Sequence, residues 1–255
     1  IINIEGGTIT AEGGGKENGS CQASGAGIGS GGNALNKTTI NIKGGEITAT
    51  GGVSLDSRNH SDKWLSGAGI GSGSNVSGET EINISGDSTI KSASGGKYGG
   101  AGIGSGSYSG STPDSKKGAV TINITGGNIE KATGGGEYVS SSKRWYSGAG
   151  IGAGLNAGTT TINIKDNAHI VSATGGKYGG AGIGSGSSDT KNNSKKGAVT
   201  INITDGTIEK AEGKNGGAGI GSGYYGRSST VNISGDAELK DVKGGNLAAG
   251  IGSGY

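Results

Sequence analysis

A parallel β-solenoid is the fold this sequence predicts, and three observations predict it. The tripeptide Ile/Val-Asn-Ile recurs seven times, with its Asn at 3, 41, 83, 123, 163, 202 and 232. The tetrapeptide AGIG also recurs seven times, with its Ile at 28, 70, 103, 151, 183, 220 and 251, in strict alternation with the first motif. Both motifs alternate side-chain types at period two, and no ten-residue segment carries a helical period.

Each unit reads in the same order. In "TTINI", Ile40 and Ile42 face one way while Thr39 and Asn41 face the other, and β-branched residues suit a strand. A two-residue turn follows, such as Gly44-Gly45, Gly86-Asp87, Asp166-Asn167 or Asp205-Gly206. These residue types accept the positive φ that a sharp corner needs. The second strand carries pairs such as Ile47 and Ala49, Ile129 and Ala132, or Ile208 and Ala211, and ends on glycine. The third, "GAGIGSG", sets Ala26, Ile28 and Ser30 on one side and Gly25, Gly27, Gly29 and Gly31 on the other. Glycine at period two rejects collagen and polyproline bundles, which need it at every third position.

Units of 30 to 42 residues vary almost wholly in their loops. Each therefore makes one coil of three short strands, and about seven coils stack into one all-β domain over residues 1–255. Inward ladders of four aliphatics per coil, for example Ile122, Ile124, Ile129 and Ile151, supply the core. A buried Ile contributes about 1.5–3 kcal/mol, which offsets the ordering cost of 62 glycines.

Without that periodicity, a chain with 29% hydrophobic residues, one Pro and no Phe or Met would read as disordered. The net charge of +2 gives no electrostatic footprint for nucleic acid or an acidic membrane. No apolar run approaches the length of a bilayer span. Cys21 stands alone, which excludes an internal disulfide and a cysteine-based zinc site. The start on "IINI" without Met suggests a segment of a longer protein.

The alternation of "INIxGGxIxAxGG" with "GGAGIGSG" resembles the glycine-rich repeats of large surface proteins of Gram-positive bacteria, especially gut Firmicutes. The resemblance implies the right-handed parallel β-helix of the pectate-lyase-like superfamily and a secreted or wall-attached location. That superfamily holds adhesins and polysaccharide-binding modules beside lyases, and no lyase motif is matched here.

Candidate chemistry is sparse. His60 and His169 have no repeated partner and read as surface histidines rather than catalytic ones. Asp166, Asp205 and Asp236 occupy equivalent corners of successive coils; they read first as turn formers and second as a calcium site, and no cofactor is otherwise expected. The outward Thr-x-Asn row, interrupted by Glu81, reads as strand formers with stacked Asn amides, or as a flat face for ice or crystalline polysaccharide. The outward glycine face would leave backbone open to a variable loop, a second copy or a flat ligand.

The loops carry a longer period. Trp64 in "DKWLSGAGIGSG" recurs as Trp145 in "KRWYSGAGIGAG". "GGKYGGAGIGSG" occurs at 95–106 and again at 175–186, and Lys116-Lys117 returns as Lys195-Lys196. Long Trp-bearing loops thus alternate with short Lys-Tyr turns at one corner of the stack. Amphipathic aromatics on a rigid scaffold suit sugar faces or protein partners, while Trp64 and Trp145 equally fit as plugs over the barrel edge, with Tyr98 and Tyr178 exposed. The expected function is a non-catalytic surface stalk or adhesin. It would bind a glycan or host surface protein by stacking on Trp64, Tyr98, Trp145, Tyr146 and Tyr178, with Lys97 and Lys177 adding hydrogen bonds or charge. The alternatives are a structural or self-associating spacer and, further off, a polysaccharide lyase or hydrolase.

Overall fold

Isoleucines two apart on a strand project to the same face, and here seven such strands stack them into ladders. The structure, a computed structural model, describes residues 1–15, 23–56, 63–109, 114–139, 144–188, 197–226 and 228–255. His60, Cys21 and the Lys195-Lys196 pair lie outside the described residues. The first strands Thr80–Ile84, Val120–Ile124, Thr160–Ile164 and Val199–Ile203 pair in parallel, Ile82 beside Ile122, Ile122 beside Ile162 and Ile162 beside Ile201. The second strands keep the same order, with Ile90 beside Ile129, Ile129 beside Ile170 and Ile170 beside Ile208. Ile122, Ile124, Ile129 and Ile151 are fully buried in one core that runs the length of the stack. The chain is a parallel β-solenoid.

Two parallel sheets are present where three were expected. Ile2–Glu12 and Thr38–Thr50 run through the corner as unbroken strands, so first and second strands merge into one 14-stranded sheet among the described residues. The corner still turns on the predicted residues, at Gly45 (φ 90°), Gly86 (62°), Gly127 (78°), Asp166 (58°) and Gly206 (87°). The third strands form a seven-stranded sheet, each only two residues long, such as Ile70–Gly71 and Ile103–Gly104.

That brevity explains the glycines. The Ala101 N–H donates to the Ser105 carbonyl at 3.0 Å, folding AGIGS into a tight arc with Ile103 inside. Gly104 sits at φ 139°, and a Cβ there would lie 1.8 Å from the Gly152 carbonyl oxygen of the next coil. The same position in the other coils, Gly29 through Gly252, keeps φ between 132° and 141°. The outward face is not bare: a Cβ on Gly102 would fall 2.6 Å from both the Gly150 oxygen and the Thr133 nitrogen. Backbone from the second strand and the adjacent coil fills this face.

Two polar ladders tie coil to coil. Each Asn of the INI motif donates from Nδ2 to Oδ1 of the preceding one at 2.8 or 2.9 Å, from Asn232 down to Asn3. The inward Ser30, Ser72, Ser105 and Ser185 hydroxyls accept the N–H of Gly73, Gly106, Gly154 and Gly223. Glu81, which interrupts the Thr row, pairs with Lys37 at 2.9 Å, and that contact holds its carboxyl below the usual range. No helix of the described residues is long and apolar enough to cross a membrane.

Candidate ligand-binding groove

The Trp-bearing loops are antiparallel hairpins, which the sequence reading did not foresee. Val53–Asp56 pairs with Lys63–Ser66, and two coils further on Gly136–Val139 pairs with Arg144–Ser147. In the coil between them the chain makes only the short turn that carries Tyr98.

This arrangement divides the predicted aromatic row. Tyr98, expected to be exposed, is 5% accessible. The first hairpin lays Trp64 on it edge-to-face at 4.5 Å, and the second brings Tyr146, itself 4% accessible, to 6.2 Å on the other side. Val139 and Leu155 complete this satellite core, with Val53 and half-buried Trp64 at its rim. Tyr98 and Tyr146 therefore offer no open ring face. They seat the hairpins.

Trp145 is different. It is 46% exposed, packed between Tyr138 at 4.3 Å and Tyr178 at 4.6 Å. The physical reason lies in the coil beyond. Tyr98 is roofed by a hairpin one coil on, but the coil after Tyr178 has the short turn "GKNGG" (213–217) at that corner. With no third hairpin above it, Tyr178 borders an open groove.

The groove has a volume of about 390 Å³ and runs across Trp145 and Tyr178 to Tyr224, Leu247 and Tyr255, with Asn215 and Asn246 between. Its far wall is a cluster of tyrosines. The Tyr224 and Tyr255 rings lie 5.7 Å apart and nearly parallel, and the Tyr225 ring packs on Tyr224 at 4.1 Å, tilted by 34°. Glycine lets Tyr224 lie against the turn, since a Cβ on Gly216 would come 2.7 Å from its ring. Backbone bonds fix this wall: the Tyr224 N–H donates to the Gly179 oxygen at 2.7 Å and the Tyr255 N–H to the Gly216 oxygen at 2.8 Å. Hydrogen bonding with Tyr225, and then burial, pushes the Tyr224 phenol up to about 12.

Tyr138, Tyr224, Tyr225, Tyr255, Leu247 and Asn215 were missed in the sequence. One signal is present: Tyr224 and Tyr255 each directly follow "IGSG", at the opposite end of the arc from Tyr98, Tyr146 and Tyr178. Lys97 and Lys177 are exposed, with ammonium groups 5.0 and 5.2 Å from the Tyr98 and Tyr178 ring centres. Lys97 also borders a second, glycine-floored trough with Glu12, Thr50 and Gly96.

The other candidates engage in local contacts. His169 Nε2 lies 3.4 Å from Glu209, which also pairs with Lys240 at 2.9 Å. The Asp205 carboxylate accepts the Asp236 N–H at 3.1 Å, as a turn former does. Among the described residues, no group of three His, Cys, Asp or Glu side chains is placed to hold a metal ion.

Comparison with known proteins adds one finding. The family model described as a beta helix repeat matches residues 2–32, 40–74, 82–107, 122–155 and 201–224, more than half of the chain. No curated protein and no solved structure matches it. The matched stretches include Trp145, Asn215 and Tyr224 of the groove, while Tyr178, Leu247 and Tyr255 lie outside them. Family match and stacked coils agree, and the chain belongs to the β-helix repeat family.

Proposed function

We propose that this β-helix is a non-catalytic recognition module of a bacterial surface protein, secreted or wall-attached, which binds a glycan at the groove between Trp145 and Tyr255. One observation carries the reading: four aromatic rings, Trp145, Tyr178, Tyr224 and Tyr255, line an open groove on a rigid scaffold. Flat rings with polar tips match a sugar, which presents C–H faces and a rim of hydroxyls. Anchorage on stacked coils keeps the ordering cost of binding low.

A second reading, a spacer that only holds other domains apart, is favoured by the unbroken Asn ladder and the glycine-tight packing along the axis. Glycan-array binding of the chain separates the two. Retention should disappear in Trp145→Ala combined with Tyr178→Ala, whereas Trp64→Ala should cost stability and spare binding. If no glycan is retained, or if the double variant binds as the parent does, the spacer reading takes its place.

A further inference from the structure

The outward face of the first strands carries hydrogen-bonding capacity that the fold does not use. A primary amide offers two N–H donors and two acceptor lone pairs. Asn123 donates to Asn83 and accepts from Asn163, Asn163 accepts from Asn202, and Asn202 accepts from Asn232, all at 2.8 or 2.9 Å. The ladder thus takes one donor and one acceptor from each of Asn123, Asn163 and Asn202. Among the described residues, their second N–H and second lone pair have no partner. These open groups recur once per coil, about every 4.8 Å. A sugar hydroxyl, donor and acceptor at once, can bridge the N–H of one amide and the oxygen of the next.

The row lies in a concavity. Half-buried Asn83, Asn123, Asn163 and Asn202 floor a furrow of about 470 Å³. Its rim is Thr125 with the exposed Lys165 and Thr204, the residues that lead into the coil corner. The furrow sits on interior coils, with Asn41 before it and Asn232 after it in the same ladder. Four amides span three coil steps, about 14 Å along the axis. A flat crystal plane, of ice or of packed polysaccharide, would rest on the rim and miss the amides. A single extended chain lying parallel to the axis reaches them.

Linkage geometry then selects the chain. Diequatorial β-1,4 linkage makes a straight ribbon whose advance per sugar is close to one coil, so its hydroxyls stay in step from Asn83 to Asn202. Chains linked α-1,4 or β-1,3 wind into helices and lose that register. Resting on the glycan reading above for its ligand class, we propose that the Asn furrow is a second binding site, separate from the aromatic groove, for one extended β-1,4-linked polysaccharide chain held one sugar per coil. Each such contact replaces one with water and is weak alone, so affinity comes from repetition along the chain.

The test is titration of the whole chain with β-1,4-linked gluco-, manno- and N-acetylglucosamine oligomers, followed by the side-chain amide NMR signals of Asn123, Asn163 and Asn202. Tetra- and hexasaccharides should shift these signals and bind at least about tenfold more tightly than disaccharides. Maltohexaose (α-1,4) and laminarihexaose (β-1,3) should leave them in place. The shifts should persist in Trp145→Ala combined with Tyr178→Ala, which removes rings of the aromatic groove. They should vanish in Thr125→Arg combined with Thr204→Arg, which fills the furrow from its rim. If that pair fails to fold, the exposed Thr204→Arg alone should abolish the shift at Asn202. Amide signals unmoved by every β-1,4 oligomer, while Trp145 and Tyr178 respond, would overturn this inference and leave the glycan reading standing. Equal shifts from maltohexaose, or equal affinity for di- and hexasaccharides, would overturn it too, since coil register would then decide nothing. Silence at both sites would remove the glycan reading along with it.

Discussion

Replacing Gly152 with alanine should destabilise the stack far more than one methyl group ordinarily does. The residue sits at φ 133°, and its new Cβ would lie 2.0 Å from the Gly184 oxygen and 3.1 Å from Ile162 Cδ1. Adopting that backbone conformation costs a side-chain-bearing residue about 1–3 kcal/mol. The contact must also open by at least 1 Å to reach the 3.0 Å below which real Cβ atoms essentially never approach. Opening it pulls apart the bonds from Ala153 N–H to Gly184 at 2.8 Å and from Ile151 N–H to Gly182 at 3.0 Å. Each backbone bond nets about 0.5–1.5 kcal/mol, so the total comes to roughly 2–6 kcal/mol. The control is Gly25→Ala, whose Cβ would meet nothing nearer than 3.6 Å among the described residues and should stay within about 0.5 kcal/mol of the parent. Urea unfolding followed by far-ultraviolet circular dichroism and by Trp fluorescence measures both. Coincident midpoints for the two variants would refute the claim that close coil contact dictates glycine here.

Asn163→Ala removes two amide bonds, to Asn123 at 2.8 Å and from Asn202 at 2.9 Å, and should cost about 1–3 kcal/mol. Asn232→Ala gives up one ladder bond, to Asn202, and should cost about half as much; equal losses for Asn163→Ala and the neighbouring Thr161→Ala would contradict the ladder's role. Tyr224 should ionise near pH 12 rather than 10, and Tyr225→Phe should bring it back down, as read by phenolate absorbance. Because its folded pKa is raised, the neutral phenol's stabilising contribution is complete below pH 10 and fades as pH climbs towards 12.

The parts of the fold that depend on local periodicity were legible in the sequence. Ile122 and Ile124 point inward because they are two apart on a strand, and Gly127 or Asp166 turns the corner because its residue type allows it. The Asn ladder follows from equal residues stacked in register. What escaped depends on distances between coils. Between the paired strands the sequence at 57–62 and 140–143 carries no two-residue turn signal such as Asn-Gly. Tyr98 is buried because Tyr146 arrives from the coil beyond, and no local feature of "GGKYGG" shows it. The groove was harder still, since it exists because one coil lacks a hairpin that its predecessors have.

The alternation of ribbons and short turns also has a geometric origin. Coils repeat about every 4.8 Å, while side-chain-bearing layers need about 10 Å between them, so a projecting ribbon fits only on every other coil. Trp64 and Tyr146 meet this spacing with Tyr98 wedged between. The stack is thus commensurate with decoration at double its own pitch. An extra ribbon grafted at the 213–217 turn would fit that rhythm and roof the recess, whereas one grafted at Tyr98 or Tyr178 would collide with its neighbours.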